Sequence, residues 1–336
     1  MKILIISASI GQGHVRAGEA LKKKLKQEDI ETEHIDLLNY LSNFWKRILS
    51  SSYKNITTKT PYLWGLLYNT SDNKCIRIFL NWFIENVIST EKLLDKVTTY
   101  NPDKIVCTHF LAPDLLSSLN ISIKITTLIT DYGIHSMWLS DNTDLYRVST
   151  DLMKKNLRKR GVKKEQIKVK TLPIDPDFES LDTRPKLKKK MGFQQQFTIL
   201  VMSGGDGLIK LKEIIEKLFQ IQESINIISV AGKNKKLKKQ IKQLESPQNI
   251  YYKALGWTDE IEKYIQISNI VISKPGGMTT TECIQTNTTL IATNPIPGQE
   301  EGNAEYLIKN NYGHLAESTD EILQLTREEL KNSTEN

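Results

Sequence analysis

The feature that most constrains the fold is a regular alternation of short apolar stretches with amphipathic, helix-like stretches. Helices are predicted at 15–27 and 208–221. In the first half of the chain, the predicted strands are Lys2–Ser7, 31–37, Lys104–Cys107 and 125–129. In the second half, they are Phe197–Met202, Ile225–Val230, Ile270–Ser273 and 290–292. Strands that alternate with helices form parallel sheets covered on both faces. The sequence therefore predicts an α/β protein with two Rossmann-like, doubly wound domains that face a cleft.

The chain has 336 residues, about twice the usual domain length, which favours two separate cores. Between the two halves, Pro173 and Pro176 prevent a regular helix. We place the boundary shortly after them, giving an N-terminal domain at 1–178 and a C-terminal domain at 179–336. Ligands of such folds bind beyond the carboxyl ends of the strands.

The composition is that of a folded, water-soluble protein, with 39% hydrophobic and 25% charged residues. Cys75, Cys107 and Cys283 show no CxxC spacing, so neither a zinc site nor a disulfide framework is expected, and a reducing cytoplasm fits best. The apolar run after Lys2 is too short for a signal peptide, and no window reaches the roughly 18 apolar residues of a membrane span. Any membrane contact is therefore expected to be peripheral.

The net charge of +7 predicts attraction to an anionic partner, either nucleic acid or acidic lipid. Residues 154–170 carry nine Lys or Arg against one Glu, and the alternative is that this run forms a solvated helix face. No RRM, helix-turn-helix or zinc pattern accompanies it, so nucleic-acid binding is not expected.

Residues 43–90 depart from the alternation because they are long, helix-like and aromatic. They hold three of the five tryptophans, Trp45, Trp64 and Trp82, among several lysines and arginines. Aromatic rings beside cations suit the interface of a membrane that contains acidic lipids. The alternative is an ordinary helical cap packed on the sheet.

Four glycine-bearing turns follow predicted strands. They are Ser9-Ile10-Gly11-Gln12-Gly13-His14, Ser203-Gly204-Gly205-Asp206-Gly207, Ser273-Lys274-Pro275-Gly276-Gly277 and Pro297-Gly298-Gln299-Glu300. A glycine turn at a helix N-terminus brings backbone N–H groups close to a phosphate, and the helix dipole favours the negative charge. The sequence therefore predicts a substrate that carries phosphate.

His14 ends the first turn, where the dipole of the following helix lowers the pKa of an imidazole and keeps it able to accept a proton. That is what a general base needs near neutral pH. A dinucleotide fingerprint would require a third glycine where Arg16 stands, which weakens that interpretation. The alternative for His14 is a purely structural role.

Taken together, four motifs resemble those of the bacterial diacylglycerol glycosyltransferases and plant monogalactosyldiacylglycerol synthases of glycosyltransferase family 28. In chain order they are Gly11-Gln12-Gly13-His14, Thr130-Asp131-Tyr132-Gly133-Ile134-His135-Ser136-Met137-Trp138, Lys274-Pro275-Gly276-Gly277 and Pro297-Gly298-Gln299-Glu300. The wider group includes the enzyme that adds N-acetylglucosamine to the lipid-linked peptidoglycan precursor. The resemblance implies a GT-B fold, a UDP-sugar donor and an inverting mechanism with no cofactor and no active-site metal.

The resemblance also implies roles for single residues. His14 would take the proton of the acceptor hydroxyl, and Asp131 would orient or charge-stabilise it, unless Asp131 only caps a helix. Lys274 would neutralise the departing diphosphate with the N–H groups of Gly276 and Gly277; otherwise it is an exposed lysine in a turn.

The remaining predicted donor-binding residues follow the same resemblance. Glu282 would hold the ribose hydroxyls, although a carboxylate there also simply stabilises its helix, while Gln299 and Glu300 would contact the sugar with support from Asn303. The glycines expected near the donor are Gly13, Gly204, Gly205 and Gly232. Ordinary loop formation is the alternative for the turns at Gly204, Gly205 and Gly232.

The implied function is transfer of a hexose, glucose or galactose, from a UDP-sugar to diacylglycerol or a glycosylated diacylglycerol. The C-terminal domain would bind UDP-sugar, and the N-terminal domain would bind the lipid at an anionic membrane surface. The expected location is cytoplasmic, peripheral on the inner face of the cell membrane. The alternatives are transfer of N-acetylglucosamine to the peptidoglycan precursor and a non-catalytic UDP-sugar sensor.

Overall fold

The computed structural model describes residues 1–41, 60–70, 90–117, 119, 121–179, 182–204 and 209–335. The chain divides into two compact units. Unit 1 consists of Met1–Pro176 and Pro297–Gly302, and unit 2 consists of Asp177–Ile296 and Asn303–Asn336. A short segment from late in the sequence therefore belongs to the unit formed by the N-terminal half.

Unit 1 contains a six-stranded parallel sheet in the order β2-β1-β3-β4-β5-β6. Its strands are β1 (Lys2–Ser7), β2 (Glu31–Asp36), β3 (Lys104–Cys107), β4 (Lys124–Leu128), β5 (Leu145–Val148) and β6 (Ile167–Val169). The register places Leu4, Ile105 and Ile125 side by side on three neighbouring strands. All three belong to the main buried cluster of this unit.

Five α-helices lie within the described residues of unit 1. They are α1 (Gln12–Gln27), α2 (Pro61–Thr70), α3 (Thr90–Tyr100), α4 (Leu111–Ser117) and α5 (Asp151–Lys159). In α3, Leu93 and Val97 lie one turn apart and are fully buried, so one face of the helix packs on the core. In α5, Met153 and Leu157 repeat the same spacing in a second buried cluster.

The aromatic segment is described only in part, because residues 42–59 and 71–89, with Trp45 and Trp82, lie outside the described residues. Helix α2 is the described part, and its Tyr62 and Leu66 side chains are 88% and 62% exposed. Within the described ranges, every helix is either too short or too polar to cross a bilayer.

Unit 2 contains a second six-stranded parallel sheet, in the order β12-β11-β10-β7-β8-β9. Its strands are β7 (Phe197–Met202), β8 (Ile225–Val230), β9 (Ile250–Leu255), β10 (Ile270–Ser273), β11 (Thr289–Thr293) and β12 (Gly313–Ala316). Counted from β7, this order is the 3-2-1-4-5-6 arrangement of nucleotide-binding folds. Ile270, Ile199 and Ile227 form a buried row across its centre.

The helices of the C-terminal half flank the second sheet. They are α6 (Arg184–Lys190), α7 (Leu211–Leu218), α8 (Lys235–Lys242), α9 (Ile261–Ile267), α10 (Gly277–Gln285), α11 (Glu301–Lys309) and α12 (Thr319–Glu335). In α7, the four buried residues Leu211, Ile214, Ile215 and Leu218 follow the helical period and pack against β7 and β8.

The predicted fold class is confirmed, since both units are doubly wound parallel sheets. The pattern did not predict β5, β6, β9 and β12, three of which lie at sheet edges. Edge strands bury less of their surface, and their apolar pattern is correspondingly weak. In β6, Lys168 stands between Ile167 and Val169 inside the basic run, and in β9 only Ile250 is buried.

The strand order of each sheet indicates where a ligand would bind. In unit 1 the direction of winding reverses between β1 and β3, and in unit 2 it reverses between β7 and β10. Ligands of open α/β sheets bind in the crevice that this reversal leaves at the carboxyl ends of the strands. The loops that follow these four strands are therefore the candidate site regions.

Gly313 offers a test of the β11–β12 edge. A Cβ placed at Gly313 would lie 2.0 Å from the carbonyl oxygen of Leu290, a backbone atom that moves only with its strand. We expect Gly313→Ala to lower the free energy of unfolding by about 1–3 kcal/mol, measured by urea unfolding. The matched control is Gly256→Ala, whose Cβ has its nearest contacts with the mobile end of the Lys238 side chain. Equal stability of the two variants would contradict this packing.

Candidate active site

His14 lies in the first turn of α1, immediately beyond β1. Gly11 precedes the helix with a φ of 87°, a conformation that favours glycine and lets the chain turn from strand into helix. The His14 side chain is only 5% exposed. The glycine turn therefore places an imidazole in a buried position at the carboxyl end of the sheet.

Two threonines that follow the neighbouring strands β3 and β4 hold the imidazole. The Nδ1–H of His14 donates to the carbonyl oxygen of Thr108 at 2.9 Å, and the hydroxyl of Thr130 lies 2.9 Å from the same nitrogen. Because a carbonyl oxygen only accepts, the hydrogen of the neutral ring is on Nδ1, and Nε2 carries the lone pair. The hydroxyl of Thr108 donates in turn to the carbonyl oxygen of His14.

Burial lowers the pKa of His14 to about 4, and the hydrogen bond to Thr108 opposes this shift. The main cause is therefore desolvation, where the sequence suggested the helix dipole. The imidazole is neutral at pH 7 and its Nε2 can accept a proton, which is the property that a general base requires.

His109 is a second buried histidine that the sequence analysis did not predict as a site residue. Its ring centroid lies 4.5 Å from that of His14 in an edge contact, and its side chain is 1% exposed. Burial, and next the charge on His14, hold the pKa of His109 well below its ordinary value. Thr108 and His109 directly follow β3, which neighbours β1 in the sheet. Their place after a predicted strand was the only sequence feature that could have indicated them as site residues.

Asp131 and His135 lie in the loop after β4. Asp131 is half-buried, follows Thr130 directly and has polar contacts of its own; its predicted role toward His14 stays a prediction. In His135, the Nε2–H donates to the carbonyl oxygen of Tyr68 at 2.8 Å, and Nδ1 accepts from the N–H of Met137. Both ring nitrogens of His135 therefore make structural contacts.

In unit 2, Lys274 directly follows β10 and is 9% exposed. Gly276 caps the next helix, α10, which has no side-chain cap. The N–H of Gly276 donates to the carbonyl oxygen of Lys274 at 2.9 Å, so it is already used within the turn. The first N–H groups of α10 without an intrahelical partner begin at Gly277. The predicted role of Gly276 and Gly277 toward the diphosphate stays a prediction.

Three other predicted residues of unit 2 lie at the same edge of the sheet. Gly204 and Gly232 follow β7 and β8 with φ angles of 72° and 59°. Glu282, 1% exposed, lies in the second turn of α10 and has polar contacts. Gly205 lies outside the described residues.

The three residues predicted to contact the donor sugar are divided between the units. Gln299 and Glu300 are half-buried in the Pro297–Gly302 segment of unit 1, whereas Asn303 is fully buried on α11 in unit 2. The linear motif gave no sign of this division, because the residues are nearly contiguous in sequence.

Two family models match the chain. Residues 14–174 match monogalactosyldiacylglycerol (MGDG) synthase, and residues 198–336 match the glycosyltransferase family 28 C-terminal domain. The chain belongs to the monogalactosyldiacylglycerol synthase-like glycosyltransferases. This confirms the family that the four motifs resemble.

Curated relatives support this membership over the full length. The processive diacylglycerol β-glucosyltransferase of Bacillus pumilus is 28% identical over 347 residues, which cover 100% of this chain and 90% of the relative. The enzymes with the same name from Bacillus subtilis and Staphylococcus haemolyticus are 27% and 29% identical to this chain. Each alignment covers 96% of this chain, together with 85% of the Bacillus subtilis enzyme and 83% of the Staphylococcus haemolyticus enzyme.

Solved structures show the same GT-B fold. MurG of Acinetobacter baumannii has a TM-score of 0.59 at 14% identity, with 97% of this glycosyltransferase and 90% of MurG covered. The UDP-GlcNAc 2-epimerase of Neisseria meningitidis, bound to UDP-GlcNAc, has a TM-score of 0.61 at 14% identity, with 96% and 90% covered. HepE of Anabaena, in complex with UDP-glucose, has a TM-score of 0.55 at 14% identity, with 99% and 91% covered.

The low pKa of His14 makes the stability of this glycosyltransferase dependent on pH. Below the ordinary histidine pKa, about 6.5, the unfolded chain binds a proton that the folded chain excludes until about pH 4. This contribution is complete above pH 6.5 and is lost as the pH falls toward 4. When the pH is lowered from 7.5 to 5, we expect the titration of His14 to lower the free energy of unfolding by about 2 kcal/mol.

Urea unfolding of the wild type and of His14→Asn at both pH values measures this contribution. The asparagine amide can replace the donor to Thr108 but does not titrate. The variant should therefore lose about 2 kcal/mol less than the wild type over the same interval. The same pH dependence in both proteins would contradict the assigned pKa.

Proposed function

We propose that this protein is an inverting glycosyltransferase that moves a hexose from a UDP-sugar to diacylglycerol or a glycosylated diacylglycerol. The observation that carries the proposal is the buried, neutral His14 with its hydrogen fixed on Nδ1, in a chain related over its full length to processive diacylglycerol β-glucosyltransferases. The names of these relatives favour glucose over galactose as the hexose.

His14 would act as the general base. The acceptor oxygen forms a bond to the anomeric carbon while the bond from that carbon to the UDP oxygen breaks, and the hydroxyl proton passes to Nε2 of His14. Attack opposite the leaving group inverts the anomeric centre. The carboxylate of Asp131, in the loop that also supplies Thr130, would stabilise the resulting imidazolium.

The groups of unit 2 would stabilise the leaving UDP. Lys274 supplies a positive charge, and the first N–H groups of α10, beginning at Gly277, supply donors for the diphosphate. These groups would take the place of a metal ion, so the proposed reaction uses no metal and no cofactor besides the donor substrate. Glu282 would hold the ribose, with Gly204 and Gly232 beside the nucleotide.

The lipid acceptor requires the enzyme to work at a membrane surface. Each methylene removed from the bilayer costs about 0.8 kcal/mol, so diacylglycerol does not leave it readily. Tyr62 and Leu66 are four residues apart on α2 and both exposed, so they share an outward face. With the net charge of +7, this face supports peripheral binding of the N-terminal domain to an anionic, cytoplasmic membrane surface.

The direct test is transfer of radiolabel from UDP-glucose, or separately from UDP-galactose, to vesicles of diacylglycerol and anionic lipid, with thin-layer chromatography of the lipid fraction. We expect labelled glycolipid, and a turnover number about 10²–10⁴-fold lower for His14→Asn because the base is lost. The matched control is His314→Asn, at the far edge of the second sheet, which should keep the wild-type rate.

Wild-type turnover by His14→Asn would refute the assigned base. Absence of glycolipid from the wild type with both donors would refute the proposed reaction. Label from UDP-N-acetylglucosamine in the lipid-linked peptidoglycan precursor would then identify the alternative acceptor, and tight UDP binding without any transfer would favour a sensor.

Gly13 offers a second test of the proposed donor site, because the space next to its Cα in the first glycine turn is open. A Cβ placed there meets no atom within 4 Å, so protein packing does not require a glycine. Alanine favours helix by about 0.5–1 kcal/mol over glycine. We expect Gly13→Ala to raise the free energy of unfolding by that amount and to lower kcat/KM, because the methyl group intrudes on the donor. Loss of stability, or unchanged kcat/KM, would contradict this interpretation.

A further inference from the structure

The turn that carries Gln299 and Glu300 is held at both ends by glycine contacts within unit 1. A Cβ placed at Gly302 would lie 2.9 Å from the Cα and 3.1 Å from the nitrogen of Gly133. A Cβ placed at Gly65 would lie 2.6 Å from the Cβ of Pro297. These approaches are too close for any side chain, so both contacts depend on glycine.

The first contact joins the turn to the loop that holds the proposed base. Gly133 is three residues after Thr130, whose hydroxyl lies 2.9 Å from Nδ1 of His14. The backbone of Gly302 therefore rests on the same short loop that fixes the imidazole.

The second contact joins the turn to helix α2. Three residues after Gly65, the Tyr68 carbonyl accepts a hydrogen bond from His135, and the rings of Tyr68 and His135 lie 4.0 Å apart. His135 is two residues after Gly133 in the loop after β4. The turn, α2 and this loop therefore contact one another pairwise and form a closed set of three.

We propose that this closed set of contacts is a positioning device for the donor sugar. It rests on the proposed function, in which Gln299 and Glu300 contact the sugar. Gly65, Gly302 and His135 are positioning residues that hold this pair in a fixed place relative to His14. Gly133 contributes only its backbone to the first contact, because a Cβ at Gly133 would meet Gly302 at an ordinary 3.6 Å. A closed set of three contacts resists displacement of any one member, because each member is braced by the other two.

The proposal separates sugar recognition from nucleotide recognition. The residues assigned to UDP, such as Lys274 and Glu282, belong to unit 2, whereas Gln299 and Glu300 belong to unit 1. Displacing the turn should weaken the contribution of the hexose to binding and to turnover, and leave the affinity for UDP alone unchanged. A glycine contact with only a structural role would not produce this difference.

The two glycines of the first contact provide a matched pair of variants. In Gly302→Ala the new Cβ meets backbone at 2.9 Å, so the turn must move, whereas in Gly133→Ala it lies 3.6 Å from the nearest atom, an ordinary contact distance. Loss of sugar hydrogen bonds should weaken UDP-glucose binding about tenfold in Gly302→Ala. A displacement near 1 Å should lower kcat about a hundredfold. Gly133→Ala should remain close to wild type in both.

Calorimetric titration with UDP and with UDP-glucose, together with the vesicle assay, decides the outcome. The expected result is an unchanged Kd for UDP in both variants, with the loss for UDP-glucose confined to Gly302→Ala. Wild-type affinity and turnover of Gly302→Ala would overturn the proposal. Parallel loss of UDP and UDP-glucose binding, or equal defects in the two variants, would reduce the contact to a structural one and also overturn it.

Gly65→Ala tests the opposite end of the turn if Gly302→Ala does not fold. It should show the same selective loss of UDP-glucose affinity, and retained UDP binding would show that unit 2 is intact. The binding comparison requires no transfer, so it stays informative if the vesicle assay refutes the proposed reaction. A wild type that binds UDP and UDP-glucose equally would overturn the positioning role by itself.

Discussion

The hydrogen bond from Nδ1 of His14 to the carbonyl oxygen of Thr108 is the interaction on which the candidate site depends. It joins the helix after β1 to the residue after β3, across the point where the winding of the sheet reverses. The N–H of Thr108 donates to Ile6, so the ladder of the sheet continues up to the residue that orients the imidazole. Because the orienting group is an uncharged backbone carbonyl, it does not titrate. The tautomer of His14 therefore follows from strand register and not from the protonation state of a neighbouring carboxyl group.

The two units use the same parallel-sheet architecture to create opposite electrostatic environments. In unit 1, loops after the adjacent strands β1, β3 and β4 surround an imidazole and exclude water, which keeps it neutral. In unit 2, loops after the adjacent strands β10, β7 and β8 present a lysine, a helix N-terminus and left-handed glycines, which suit an anion. In the first arrangement, burial keeps the imidazole uncharged. In the second, backbone donors and a positive charge lie at the carboxyl edge of the sheet.

The sequence predicted what depends on local pattern. A glycine turn between an apolar strand and a helix is a local feature, so the positions of His14 and Lys274 followed from a few neighbouring residues. Thr108 and Thr130 could not be found this way, because they lie 94 and 116 residues from His14 and meet it only through the order of the strands. The edge strands β6, β9 and β12 were missed because partial exposure weakens their apolar pattern. The place of Gln299 and Glu300 in unit 1 was missed because the two residues adjoin unit 2 in sequence.

The membership of Pro297–Gly302 in unit 1 means that the chain passes between the units three times, after Pro176, Ile296 and Gly302. A chimera of two relatives joined near Pro176 would take Gly65 and Gly133 from one parent and Pro297 and Gly302 from the other. Those contacts leave no space for a methyl group on Gly65 or Gly302, so parents whose residues differ in size there would clash even if each sheet were intact. Exchange of the N-terminal half of this chain is therefore constrained by pairs of residues on opposite sides of the junction. An exchange that keeps these pairs together must carry the short late segment with the N-terminal half.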